Sequence, residues 1–103
     1  MNYRSILASA LAIALLGGAS TAAWAYPGQS LAAHARIQVA EARDIALHAR
    51  PGVVTAEELE RERGGSGLRY SFDIRTDSGV YEVGVDAQTG AVLENAREGA
   101  HAD

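Results

Sequence analysis

Two segments in the second half of the chain alternate between apolar and polar residues, and this period of two constrains the fold most. From Leu68 to Arg75, and again from Tyr81 to Asp86, every second residue is aliphatic or aromatic. Alternation of this kind is typical of β-strands that bury one face. The residues between the segments, Thr76 to Gly79, have the composition of a tight turn. The pattern predicts an antiparallel hairpin with one apolar face.

A stripe of apolar residues at helical spacing precedes the hairpin. It begins near Ile37, and its members share one helical face: Val39, Ala42, Ile45, Ala46 and Ala49. Gln38 is a poor N-cap, although Glu41 supplies the back-reaching half of a capping box. Pro51 disfavours helical conformation in the residue before it, and Gly52 lets the chain turn away. The pattern predicts an amphipathic helix of about three turns that ends before Pro51.

Local preferences conflict between Val53 and Arg63. Thr55 and Glu58 form an acceptable capping box, and the glutamates that follow are good helix formers. The β-branched start of the segment favours a strand, and Leu59 is its one large apolar residue after Val54. We interpret the segment as a strand, on the expectation that pairing with the hairpin overrides helical propensity. The glycine-rich stretch from Gly64 to Gly67 is then predicted to be a flexible loop.

The chain after the hairpin is expected to turn once more and pair briefly. Asp86 to Gly90 has the composition of a type I turn closed by glycine, and Val92 and Leu93 would start a short last strand. Residues 96–103 are small or polar and are expected to fray. The sequence thus predicts an α+β domain over residues 37–95, in which one amphipathic helix packs on a small antiparallel sheet.

The first 25 residues have the features of a cleavable signal peptide. Arg4 precedes an apolar run from Ile6 to Leu16, and a small-x-small triplet ends at Ala25. Cleavage is expected between Ala25 and Tyr26. The apolar run is shorter than the ~20 residues that span a bilayer, so we expect a periplasmic or secreted protein that is not inserted in the membrane after processing. Residues 26–36 are expected to be a flexible lead-in.

Charge and cysteine content limit the partners and the means of stabilisation. The chain has a net charge of −4, and loss of Arg4 with the leader makes the processed part −5. Nucleic acids and anionic lipids require clustered positive charge, so neither is an expected partner. Exported small domains often depend on disulfides, but this chain has no Cys and must be held together by its core alone.

Residues with chemical potential are present but do not form a recognisable catalytic or cofactor site. The three histidines lack metal-ligand spacing, and Ser66 is not part of a hydrolase elbow, because Leu68 stands where a glycine would be needed. We therefore predict no catalytic residue, no cofactor and no metal site.

The most prominent charge feature is the acidic run from Glu57 to Glu62. It could attract a basic peptide or a divalent cation, or it could be a solvated strand whose alternate residues face arginines across the sheet. We favour the solvated strand. The residues that we nonetheless regard as candidates for partner binding are Glu58, Glu60, Glu62, Arg69 and Arg75.

The order of the elements and the residues at their junctions resemble the PepSY domain family. The features that carry the resemblance are the helix end Arg50-Pro51-Gly52, the aromatic strand from Tyr70 to Ile74 and, most specifically, the strand and turn from Tyr81 to Leu93. The resemblance covers Ile37 to about Asn95. Gln38 in place of a better cap and a longer, glycine-rich loop at residues 64–67 are departures from the family pattern.

The resemblance implies a fold and a mode of action. PepSY domains place a helix on an antiparallel sheet, and they are thought to restrain peptidases or to bind peptides. Our first hypothesis is a non-catalytic exported module that binds a protein or peptide, by β-augmentation at a sheet edge or by docking on the sheet face that the helix leaves uncovered. The alternative is an acidic accessory protein that binds a cation or a small ligand.

Overall fold

The computed structural model describes residues 25–99, so the predicted leader up to Trp24 and the end of the tail lie outside the described residues. The described part contains a 3-10 helix and five further elements: Gln29–His34 (3-10), α1 Val39–Ala49, β1 Val53–Arg61, β2 Leu68–Thr76, β3 Gly79–Asp86 and β4 Val92–Arg97. The strands form one antiparallel sheet in the order β1-β2-β3-β4. The predicted α+β class, with one α-helix packed on an antiparallel sheet, is confirmed.

The predicted amphipathic helix is present, with small differences at its start. It begins at Val39, two residues after Ile37, and Gln38 is the N-cap without a side-chain capping bond. Ala42 and Ala46, on the predicted stripe, are completely buried. The small size of these two side chains lets the helix backbone approach the sheet closely. In the described range, no helix is long and apolar enough to cross a membrane.

The interpretation of the segment after Pro51 as a strand is correct, although β1 ends at Arg61, before Arg63. The pairing with β2 shifts its register between Val54 and Ala56, which is a β-bulge. Leu59 lies opposite Tyr70 and is only 2% exposed. The burial of this side chain and the backbone pairing with β2 on both sides of the bulge outweigh the helical propensity of the glutamates around it.

One face of the sheet holds the core, and we call it the covered face. Its central residues all belong to the two alternating segments of β2 and β3: Tyr70, Phe72, Ile74, Val83 and Val85. All of them are at most 1% exposed. The Tyr70 hydroxyl donates a 2.7 Å hydrogen bond to the carbonyl oxygen of Ile37, which satisfies the buried polar end of the ring.

The segment of residues 26–36 differs from the flexible lead-in that we expected. It contains the 3-10 helix, and Leu31, Ala32 and Ala35 pack against the core. Its first residues reach β1, where the Leu59 amide donates a 3.0 Å hydrogen bond to the Pro27 carbonyl oxygen. A 3-10 helix this short has no detectable sequence period, and its contacts with the sheet join residues that are distant along the chain, so local patterns could not reveal it.

The predicted fraying tail is also corrected at its start. β4 extends to Arg97, which lies opposite Tyr81, so residues 96 and 97 belong to the sheet. The Glu98 amide then donates a 2.8 Å hydrogen bond to the Val80 carbonyl oxygen. β4 is longer than expected because pairing with β3 supplies the backbone bonds that its small and polar residues do not predict by themselves.

The glycine-rich loop between β1 and β2 does more than separate two strands. Its Ser66 donates two hydrogen bonds to the Asp86 carboxylate, from the amide at 2.6 Å and from the hydroxyl at 2.8 Å. The same carboxylate accepts bonds from the amides of Gln88 and Thr89, within the predicted turn after β3. Asp86 therefore joins two turns at one end of the sheet.

Candidate functional site

The second face of the sheet is not covered by α1, and we call it the open face. Alternation along the strands places six acidic residues on it: Glu58, Glu60, Asp73, Glu82, Asp86 and Glu94. Two strand residues on this face are basic, Arg69 and Arg75. Glu62 and Glu98 adjoin it at the ends of β1 and β4. An excess of carboxylates on one surface favours positively charged partners.

Arg69 is the most buried of the predicted partner-binding residues, and it is not available on the surface. The residue is 7% exposed, and one guanidinium nitrogen lies 3.4 Å from both Glu62 and Glu94. A second nitrogen donates to the Arg63 carbonyl oxygen at 3.1 Å, while Nε has no partner among the described residues. Arg69 thus links the end of β1 to β4 across the sheet.

Gly84 provides the space in which Arg69 lies. A Cβ atom at this position would stand 2.8 Å from Cδ of Arg69, closer than such contacts normally are. Because β3 has no side chain here, the arginine can lie flat against the strand and reach Glu94 on the next one. The arginine is consequently part of the sheet's own structure, and it neutralises charge at one end of the open face.

The predicted acidic residues of β1 are brought together as a repulsive group. Burial raises the pKa of the Glu60 carboxyl, a hydrogen bond with Glu62 raises it further, and the charge of Glu58 adds to the effect, against a hydrogen bond from Ser71 that lowers it. The Ser71 bond measures 3.1 Å. These glutamates do not alternate with arginines as we expected. The register sets Arg69 opposite Glu60, but Arg75 lies opposite Val53 and makes no described ion pair.

A second acidic group, at the centre of the open face, was not predicted from the sequence. Asp73 and Glu82 lie directly opposite each other on β2 and β3. Each of these two carboxylates and that of Glu98 offers an oxygen, and the three oxygens lie within 4.8 Å of one another. Burial raises the pKa of Glu82, and the charges of Glu94, Asp73, Glu98 and Glu60 raise it further. Like charges in register are destabilising unless a cation or a partner compensates them.

The missed group was accessible in principle from the alternation along β2 and β3. Both Asp73 and Glu82 stand at polar positions of the period of two, and a short turn between the strands brings polar positions face to face. The run of glutamates between Glu57 and Glu62 was more conspicuous along the chain. Asp73 and Glu82 are separated along the chain, so they form a group only once the register of β2 against β3 is known.

A surface depression of about 840 Å³ lies at this acidic centre. The open-face residues that line it are Glu58, Ser71, Asp73, Glu82 and Glu98. It also borders the bulge of β1 and, beyond it, Tyr26 and Arg43. A depression of this size, with carboxylates on several strands, can accept a basic side chain or an extended backbone.

The histidines do not join these acidic residues. His48 is exposed in the last turn of α1 and His34 ends the 3-10 helix, while His101 lies outside the described residues. Across residues 25–99, Asp73, Glu82 and Glu98 are the one group of three side chains that could share a metal ion. Carboxylate oxygens without nitrogen or sulfur ligands suit hard cations such as Ca²⁺.

The comparisons with known proteins agree with the fold. The family model described as PepSY, peptidase propeptide and YPEB domain, matches residues 36–95. Comparison with curated proteins and with solved structures found no match. The matched range includes α1, all of β1 to β3 and most of β4, and with it almost every residue of the core. The chain belongs to the PepSY family.

Proposed function

We propose that the chain is a non-catalytic module that acts in the periplasm, where its open face binds a positively charged segment of another protein. The observation that carries the proposal is the acidic centre of that face. Asp73 and Glu82 lie opposite each other, with Glu98 beside them, and no described arginine forms an ion pair with Asp73 or Glu82. A partner that brings Lys or Arg to this centre relieves repulsion that the isolated domain retains.

The shape of the face supports an extended segment as the partner. The depression is lined by residues of β1, β2 and β3, and the side chains of an extended peptide alternate with the same period as those of these strands. Every second residue of such a peptide would then face the carboxylates. The family description names peptidase propeptides, so we include in the proposal that the protein partner is a peptidase that the domain restrains.

The binding proposal is tested with a defined probe. We expect a fluorescent 12-residue peptide of alternating Arg and Thr to bind the purified protein in low salt, and an equivalent peptide of Glu and Thr not to bind. The double variant Asp73→Asn/Glu82→Gln should weaken binding by about tenfold or more, because two charges at the centre are lost. A matched control, Glu41→Gln/Asp44→Asn, removes the same charge from exposed positions on α1.

Equal loss of affinity in both double variants would show that only net charge matters, and it would contradict a site on the open face. The peptidase part of the proposal has a separate test. A peptidase whose own propeptide contains a PepSY domain should lose activity when the purified protein is added, and the Asp73→Asn/Glu82→Gln variant should inhibit it less than the α1 control does. Inhibition that is the same for both variants would exclude the open face as the inhibitory surface.

A cation-binding role is the second candidate function. It is favoured by the three carboxylate oxygens of Asp73, Glu82 and Glu98, which lie within 4.8 Å of one another. Titration calorimetry with Ca²⁺ should give a binding signal that the Asp73→Asn variant loses and that the Glu58→Gln variant keeps. If Ca²⁺ gives no signal at millimolar concentration while the basic peptide binds, peptide binding alone is supported.

A further inference from the structure

The outer edge of β1 already holds a piece of the chain. We call residues 26–35 the strap. In an antiparallel pair, the backbone groups of alternate residues point away from the partner strand, and those of Glu57, Leu59 and Arg61 point outward from β1. Among these three residues, only Leu59 has an amide that donates a described backbone hydrogen bond on this side. The acceptor is the Pro27 carbonyl oxygen, at 3.0 Å. The start of the strap therefore occupies one position of an otherwise open edge.

The contact is too close for any residue except glycine at position 28. Gly28 has a φ of +83°, which residues with a side chain rarely adopt. An added Cβ would stand 1.7 Å from the Leu59 carbonyl oxygen, inside the contact distance of the two atoms. Backbone thus lies against backbone at the point where the strap turns into the 3-10 helix.

A side chain accompanies this backbone contact. Tyr26 is partly buried and packs against the core. Burial raises the pKa of its hydroxyl, which a hydrogen bond with Tyr70 partly offsets, and Glu57 and Arg43 are close enough to influence it. Those two residues form an ion pair with distances of 2.9 and 3.0 Å between α1 and β1. Tyr26 therefore fills a position that is apolar at its base and polar at its rim.

The other end of the strap is fixed independently of β1. The amides of Arg36 and Ile37 both donate to the Ala87 carbonyl oxygen, at 3.0 and 2.9 Å. The Gln88 side chain donates a 2.6 Å hydrogen bond to the His34 carbonyl oxygen. Because these anchors follow the strap in the chain, Tyr26, Pro27 and Gly28 can leave the edge while residues 36 and 37 stay in place.

We infer that the outer edge of β1 is an acceptor site for a short peptide that turns at a glycine, and that the strap occupies it as an internal ligand. The chemistry of the external ligand follows from that of the strap: an aromatic side chain with a hydroxyl, then a residue whose carbonyl oxygen accepts from Leu59, then glycine. Release of the strap opens the site. The strap borders the same depression as the acidic centre, but its described contacts at this edge are with Leu59 and the core and not with Asp73 or Glu82, so the inference and the proposed function can fail separately.

Gly28→Ala is the variant that releases the strap, and Gly99→Ala is its matched control. Gly99 has a φ of +84°, almost the same as Gly28, but an added Cβ there would meet nothing within 4 Å. We expect the Leu59 amide to exchange with deuterium at least about tenfold faster in Gly28→Ala than in wild type, with the Phe72 amide unchanged. In Gly99→Ala both amides should exchange as in wild type.

The acceptor site is then tested with the strap sequence itself. A labelled peptide of residues 26–35 should bind the Gly28→Ala protein, should bind wild type and Gly99→Ala at least about tenfold more weakly, and should shift the NMR signal of Leu59 without shifting that of Asn95 on β4. The same peptide carrying Gly28→Ala should not bind. Failure of the unaltered peptide to bind after release of the strap would overturn the inference.

Two further measurements keep the inference testable if Gly28→Ala does not fold. Tyr26→Ala removes the side-chain contact and leaves Gly28 in place, so it should also accelerate exchange at Leu59 and permit peptide binding. In wild type, the Leu59 amide should be better protected from exchange than those of Glu57 and Arg61. Equal protection of all three amides would show that the strap does not occupy the edge, and it would overturn the inference.

Discussion

The two faces of the sheet are made by alternate residues of the same strands, yet they contribute to the molecule in opposite ways. On the covered face, neighbouring side chains are apolar and wholly buried, and their packing holds α1. On the open face, burial and the repulsion between neighbouring carboxyl groups raise the pKa values of Glu60 and Glu82. A small domain without disulfides can afford this repulsion only because its stability is concentrated on the other face.

The largest expected difference between the faces is at two consecutive residues of β2. Phe72→Ala should lower the free energy of unfolding by about 3–5 kcal/mol, because it leaves a cavity at the centre of the core. Ser71→Ala, one position earlier on the open face, should lower it by about 1 kcal/mol, since it removes only the hydrogen bond to Glu60. Urea unfolding followed by circular dichroism measures both changes. Similar losses of unfolding free energy for the two variants would contradict the statement that stability is concentrated on the covered face.

Asp86 is the exception on the open face, because its carboxylate stabilises the fold. Burial alone would raise its pKa, but bonds from the Ser66 and Gln88 amides, the Ser66 hydroxyl and the Thr89 amide lower the pKa from 3.8 to about 2. A lowered pKa means that the stabilisation is complete above the unfolded value of 3.8 and is lost as the pH falls through about 2.

The expected size of the Asp86 contribution is about 2 kcal/mol at neutral pH, because the pKa of its carboxyl falls from 3.8 to about 2 on folding. Asp86→Asn should remove most of this stabilisation at pH 7 and little of it near pH 2. Urea unfolding between pH 2 and pH 7 checks the prediction, with Asp44→Asn on the exposed surface of α1 as the control. A variant that unfolds with the same pH dependence as wild type would show that the two turns do not depend on this carboxylate.

The two faces also differ in how well the sequence predicts them. The residues of the covered face can be predicted from the alternation in β2 and β3, because the burial of every second side chain produces the apolar period of two. The strap does not follow from it: the proximity of Gly28 to Leu59 joins residues that are distant in the chain and share no local pattern. The centre of the open face depends on the register of β2 against β3, which sets Asp73 opposite Glu82.

An intermediate effect is expected at the ion pair that joins α1 to β1 on the covered side. Arg43 and Glu57 make two hydrogen bonds, at 2.9 and 3.0 Å, and their side chains are 30% and 18% exposed. An ion pair with two hydrogen bonds and partial burial is stronger than a typical surface ion pair, so we expect a coupling energy of about 1 kcal/mol. A double-mutant cycle with Arg43→Ala and Glu57→Ala measures it by urea unfolding. A coupling energy of zero would mean that the packing of α1 brings the two side chains together and that their ion pair adds no stability.

The smallest expected effect is a gain in stability on the open face. Burial and the charges of Glu94, Asp73, Glu98 and Glu60 raise the pKa of Glu82. For a carboxyl group with a raised pKa, the folded state is favoured below the unfolded value of 4.5, and this advantage is lost as the pH rises through the folded value. Glu82→Gln should therefore stabilise the protein by about 0.5 kcal/mol at pH 7 and have almost no effect at pH 3.

Urea unfolding at these two pH values checks the prediction for Glu82, with Glu41→Gln on the exposed surface of α1 as the control. Stabilisation at pH 7 that high salt abolishes would identify repulsion between carboxylates as the cause, because salt screens exposed charges. If Glu82→Gln is instead destabilising at pH 7, the carboxylate is compensated in the isolated domain. The acidic centre would then have no repulsion for a basic partner to relieve, and the main argument for the open face as a binding surface would be lost.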